Sequence, residues 1–131
     1  MPTEFHHERL IVHQKAVQFM AVALQMIPTI KPTHSFLRNQ LGRAATSISF
    51  NIAEGSAEFS KPEKRKFYRI SRRSAAECAA ILDALRAIHY PDTGQIAAGK
   101  ELLFEVVAML TVMSKPPERG TMTDRRAGKN R

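Results

Sequence analysis

The sequence has no tryptophan, two tyrosines and a single cysteine. A lone thiol, Cys78, cannot close a disulfide within the chain, and it fits a reducing compartment. Aromatic residues make up only 7% of the chain, so its core must be built mostly from aliphatic side chains and alanine. Such a core suits close helix packing better than a β-sandwich. No uninterrupted apolar run is long enough to span a bilayer, and the opening MPTEFHHERL is polar, without the pattern of a signal peptide. These absences lead us to expect a cytoplasmic protein that does not enter a membrane. Acidic residues are scarce too: 12 Asp and Glu stand against 20 Lys and Arg, a formal net charge of +8. That excess favours polyanionic partners, with nucleic acid ahead of an acidic membrane or protein surface.

What is present is helical periodicity. The length of 131 residues, 44% of them hydrophobic, suffices for one domain with a core. A first helix is predicted from about Glu4 or His7 to Ile27, because Val12, Ala16, Phe19, Ala23 and Ile27 step by threes and fours. Met20 and Leu24 widen that stripe, and Pro28 and Pro32 end the helix and shape a loop. A second helix is expected after Thr33 or Ser35, either of which can cap it. Its inward face is Leu37, Leu41, Ala44, Ala45, Ile48 and Ile52, and Gly55 is its expected stop. Ser60 reads as the N-cap of a third helix, with Glu63 as capping-box partner and Pro62 in the first turn. That helix should reach about Ile88, with Phe67, Ile70, Ser74, Cys78, Ile81, Leu85 and Ile88 inward. Asp92 or Thr93 can cap a fourth, which carries Ile96, Leu103, Val106, Val107, Leu110 and Met113 on one side. Gly99 either weakens it or admits a close neighbour.

Short connections make successive helices antiparallel neighbours, so the expected fold is all-α, an antiparallel up-and-down four-helix bundle over residues 1–114. Residues 115–131 have almost nothing apolar to bury and read as a disordered basic tail. There is no solenoid repeat and no glycine-rich phosphate loop.

The charge is densest on the third helix. Lys61, Lys64, Arg65, Lys66, Arg69, Arg72 and Arg73 are opposed in that stretch only by Glu63. At about 100° per residue, Arg65, Arg69 and Arg72 form an outward stripe. Several cations in a row release counterions from a nucleic-acid backbone, so these seven are the candidate contacts to RNA or DNA. No aromatic pair for stacking bases accompanies them, and the helices are too long and parallel for a helix-turn-helix. Low sequence specificity follows. On the second helix Arg43, Ser47, Asn51 and Glu54 make a polar stripe beside small residues, which suits a contact between helices or subunits. Helical spacing can bring His6 and His13 to one face, yet no third ligand completes a metal set. Cys78 has no nearby histidine to activate it and reads as a small core residue. Neither a catalytic constellation nor a cofactor motif emerges, so binding is expected rather than catalysis.

The segment QLGRAATSISFNIAEGSAEFSKPEKRKFYRISRRSAAE, residues 40–77, resembles the signature of the four-helix-bundle family of rRNA intervening-sequence proteins. The parts that carry the likeness are QLGRAA, the Ser47 and Ile48 pair, NIAEG at residues 51–55, Phe67 with Tyr68, Ser74 and Glu77. Upstream, ERLIVHQKA is similar to the family's opening helix. Ser49 and Phe50 depart from the family's usual Pro and small residue, and Arg73 stands where glycine is frequent. The family includes proteins encoded in insertions of large-subunit rRNA genes and the accessory variability protein of diversity-generating retroelements. The resemblance implies a non-enzymatic, nucleic-acid-associated homo-oligomer, a pentameric ring, with a reverse transcriptase as a candidate partner. The competing expectation is a scaffold whose basic face meets an acidic protein, such as that polymerase, with no direct nucleic-acid role.

Overall fold

The computed structural model describes residues 3–117, and within them every regular element is helical. Four long helices, α1 (Ile11–Met26), α2 (Ser35–Ser56), α3 (Lys61–Ala87) and α4 (Thr93–Met113), pack as a four-helix bundle. Contacts run α1 to α2, α2 to α3, α3 to α4 and α4 back to α1, and neither diagonal pair meets. Each helix therefore has two neighbours and one outer face. The predicted tail lies beyond the described residues from position 118 onward.

The chain begins with a short 3-10 turn, His6–Arg9, rather than with α1 itself. Leu10 is extended (φ −76°, ψ 124°), and its carbonyl then accepts the first α1 bonds from the N–H groups of His13 and Gln14. At the far end α1 stops at Met26, where Pro28 opens another 3-10 turn, Ile27–Thr29. Arg38 Nε donates to the Ile30 carbonyl at 2.7 Å and pins this connection to α2. Neither Thr33 nor Ser35 caps α2. A third turn, Pro32–His34, runs straight into the helix and takes over the first free donors, so no side-chain cap forms.

The apolar stripe of α2 is buried throughout, from Leu37 to Ile52. In α1 the stripe holds to Ala23, but Leu24 is half exposed and Met26 is buried in its place. The 3.6-residue period carries the buried side on from Ala23 by three positions to Met26, and Ile27, the expected next step, is only half-buried. The seam of α3 is displaced more. Its N-terminal half buries Tyr68, Ser71 and Ala75, whereas Phe67, Ile70 and Ser74 lie half-buried on the α2 flank. From Cys78 the predicted seam is right through Leu85, and Ile88 falls beyond the helix and is exposed.

Gly55 does not stop α2 through a left-handed conformation, since no glycine among the described residues has positive φ. Its lack of a side chain serves packing instead. A Cβ there would lie 2.8 Å from Tyr68 Cε1 and 3.1 Å from Phe67 Cβ. The single left-handed residue among those described is His89 (φ 65°), just past α3. There Tyr90 N–H reaches back to the Leu85 carbonyl (2.9 Å) and His89 N–H to that of Arg86 (3.1 Å), which closes the helix end. The expected cap residues of the other termini are in place: Ser60 Oγ accepts from Glu63 N–H at 3.1 Å, half of the expected capping box, and Asp92 Oδ1 from Gln95 N–H at 3.0 Å. Gly99 is buried where α4 crosses Leu82 and Phe19, so close approach explains it.

Two glycines of α2 should therefore respond in opposite directions. Gly55→Ala drives a methyl into Tyr68 and should destabilise the fold by about 1–3 kcal/mol. Gly42→Ala meets only Ile27 Cδ1 at 3.5 Å, an ordinary contact, and should stabilise it by about 0.5–1 kcal/mol. Urea unfolding of the two variants beside the parent checks both signs.

Candidate nucleic-acid interface

Ser60 and Pro62 start α3 abruptly, so Lys61, Lys64, Arg65 and Lys66 all fall in its first two turns. The N-terminal end of a helix carries partial positive charge, and cations there oppose the dipole. Only Glu63 complements it in the first turn. Such an arrangement is locally unfavourable in the free protein. Helix dipole and side chains together favour a bound anion.

The shifted seam decides where the seven cations sit. With Tyr68, Ser71 and Ala75 inward, the stripe of Arg65, Arg69 and Arg72 leans toward α4, while Lys66 and Arg73 point most directly outward. Lys61, Lys66, Arg69, Arg72 and Arg73 are exposed, and Lys64 and Arg65 are half-buried. Two of the seven also hold the fold. Lys64 Nζ donates to the carbonyls of Ser56 (3.0 Å) and Gly55 (3.4 Å), and so satisfies the C-terminus of α2. Arg69 reaches the Ser114 carbonyl at 3.4 Å, just past α4. Lys61, Lys64, Arg65, Tyr68, Met113 and Lys115 surround a shallow hollow of ≈ 280 Å³. Lys115, the first residue of the tail expected from the sequence, lines this hollow beside the α3 cations. Nothing local in the sequence links it to α3, and only the antiparallel return of α4 does so.

Three ion pairs form among the described residues: Arg9 with Glu4, Lys15 with Glu105, and Lys100 with Asp83. None involves the α3 cations. Their charge is left for solvent or a ligand.

The α2 polar stripe divides. Asn51 Nδ2 donates to Ser47 O and Ser47 Oγ, both at 2.9 Å, and Ser47 Oγ meets Ser74 Oγ of α3 at 2.9 Å. Beside it the buried Ser71 hydroxyl donates to the Ile48 carbonyl at 2.7 Å. Arg43 and Glu54 take no part in this seam and are exposed. Near the amino end the ring beside His13 is His7, not His6, with centroids 4.6 Å apart. Partial burial, then the neighbouring His7, hold His13 below the usual histidine range. No group of three or more metal-binding side chains occurs among the described residues. No helix among them is long and apolar enough to cross a membrane.

Cys78 is buried on the α3 seam, and burial, with Glu77 adding to it, pushes its thiol up to about 12. It is a core thiol and not an activated one. Its native form stays protonated where the unfolded thiol ionises, so this contribution to stability is complete below about pH 9 and lost as pH rises toward 12. At pH 8 iodoacetamide should label Cys78 roughly a hundredfold more slowly in the folded protein than in urea, as mass spectrometry would read.

Fold and surface together define a small helical bundle with a cationic face on α3 that no ion pair among the described residues neutralises. The chain belongs to the 23S rRNA-intervening sequence protein family, whose model matches residues 8–112. Its structure is similar to that of a protein of unknown function from the S23 ribosomal protein family of Bacteroides thetaiotaomicron VPI-5482. The TM-score is 0.73 at 20% identity, over 81% of this chain and all of that one. At that identity the likeness speaks for the fold. No curated protein matches.

Proposed function

We propose that the protein is a non-enzymatic accessory protein of the cytoplasm that binds RNA or DNA by its phosphates, with little sequence preference, and works as a homo-oligomer. The observation that carries this reading is the run of seven cations on α3 with no carboxylate within ion-pair distance among the described residues. The placement of Lys61, Lys64, Arg65 and Lys66 in the first two turns of the helix, at a local cost to the free protein, supports an anionic ligand. No element among the described residues projects from the bundle as a recognition helix would, which favours contact with the backbone over reading of base edges. The family's association with insertions in 23S rRNA agrees with an RNA context.

Self-association has its own support. The outer face of α4 carries Phe104, Ala108 and Val112 one turn apart, with Phe104 76% and Val112 71% exposed. An apolar row of this kind on a helix already packed on its other side suits a protein contact. A second copy of the chain is the proposed occupant, and five copies would follow the ring that the family resemblance implies. Light scattering should give a mass several times 14.7 kDa, and Phe104→Glu should lower it.

Binding to labelled RNA and DNA should weaken steeply with salt. Replacing Arg65, Arg69 and Arg72 together by Glu should lower low-salt affinity by roughly 10- to 1000-fold and flatten the salt slope by about 2–3. Circular dichroism would establish that the variant remains folded. If deleting residues 115–131 abolishes binding while the triple reversal leaves it intact, the α3 face is only a solvated surface. If neither RNA nor DNA binds at low salt, an acidic protein partner, a reverse transcriptase among the candidates, replaces nucleic acid in this reading.

A further inference from the structure

Phe59 is 100% exposed. A phenylalanine left wholly in water forgoes roughly 1.5–3 kcal/mol that burial would supply, so its ring contributes nothing to holding this protomer together. It stands in the four-residue connection between α2 and α3, two positions before Lys61. That connection is well anchored on both sides. Ala57 and Glu58 N–H groups bond to the carbonyls of Ala53 and Gly55 (3.2 and 3.1 Å), and Ser60 caps α3. The ring is thus presented to solvent from a short, tied segment, and ordering it on a ligand costs little.

The other exposed phenylalanines lie in different settings. Phe5 stacks on His7, Phe36 meets the edge of His34, Phe50 shares a hollow with Glu54 and Glu58, and Phe104 belongs to the outer row of α4. Phe59 is the one followed at once by Lys61, Lys64, Arg65 and Lys66. Glu63, the acid within this run, lies about 160° around the helix from Arg65. Lys61, Arg65 and Arg72 therefore share one cationic flank of α3, and Phe59 directly precedes that flank in the chain.

We propose that Phe59 is a base-stacking side chain, and that the ligand of the α3 cations is a single-stranded nucleic acid with accessible bases. This deepens the phosphate-binding reading above and rests on it. A duplex keeps its base faces inside its own stack and offers a lone protruding ring nothing to cover. A single strand offers both a phosphate track for the lysines and arginines and a base face for the ring. Stacking is tolerant of base identity, so it adds affinity without adding sequence preference.

The test measures anisotropy of unstructured RNA strands, unstructured DNA strands, and duplexes of equal phosphate count, using the full chain. Phe59→Ala should weaken strand binding roughly 5- to 150-fold and leave duplex binding unchanged. Phe59→Trp should restore strand affinity. Because the chain has no other tryptophan, its fluorescence should be quenched by a strand and not by a duplex. A loss confined to RNA or to DNA supports the proposal for that strand. Equal binding of Phe59→Ala and the parent to strands would overturn it and leave the phosphate reading standing. Failure of the parent to bind any polyanion at low salt would remove both. If Phe59→Ala shifts the mass in light scattering without a strand-selective loss, Phe59 belongs to a protein contact and the proposal fails. Phe59 touches no core residue, so misfolding does not confuse these outcomes.

Discussion

The packing of α3 against α2 is the constraint on which the rest depends. Gly55 lets the Tyr68 ring and Phe67 Cβ come within a distance that any side chain would block, and Ser71 bonds directly to the Ile48 carbonyl. Small residues between the two helices, with the Ser47 and Ser74 pair beside them, bring the backbones close enough for such bonds. Once Tyr68, Ser71 and Ala75 are turned inward, the rotation of α3 is determined, and so is the direction of every cation in its first three turns. Close packing between two helices thereby sets the electrostatics of an outer surface.

That surface stands apart because no ion pair among the described residues neutralises it. Lys64 and Arg69 complete the carbonyl ends of α2 and α4, so part of the charge stabilises the bundle. Of the remaining cations, Lys61, Arg65 and Lys66 lie in the first two turns of α3, where the dipole repels them, and Arg72 and Arg73 continue the run further along the helix. Elsewhere ion pairs join neighbouring helices, α1 to α4 through Lys15 and Glu105 and α3 to α4 through Lys100 and Asp83. Among the described residues the bundle has therefore segregated its charges: paired toward the middle of α4, unpaired at the start of α3. The apolar outer row of α4 is a second surface, distinct in chemistry from the first, and the two can serve different partners.

Much of this was legible beforehand, and the misses have identifiable causes. The α2 stripe was read in full because aliphatic residues and alanine mark it at unbroken helical spacing. Ser60 and Asp92 were recognisable as caps because a short oxygen-bearing side chain before a helical run has few other uses. On α3 hydrophobicity misled, since Phe67 and Ile70 are more apolar than Ser71, yet Ser71 is buried. Its hydroxyl finds a carbonyl on α2, a compensation invisible without the neighbour. Gly55 reads as a stop because glycine serves that role often, whereas here it makes room. The candidate cations were named from their density, but Lys115 and the full exposure of Phe59 depend on how α4 returns and on what fails to cover the connection.

The amino-acid order alone determined an all-helical bundle, its helix count, most of its core and the segment richest in positive charge, because periodicity and capping are local properties. Tertiary structure alone decided the rotation of α3, the division of its cations between structural and free, and the company they keep. Those are consequences of which backbone comes close to which, and a helix read by itself carries no record of its neighbours.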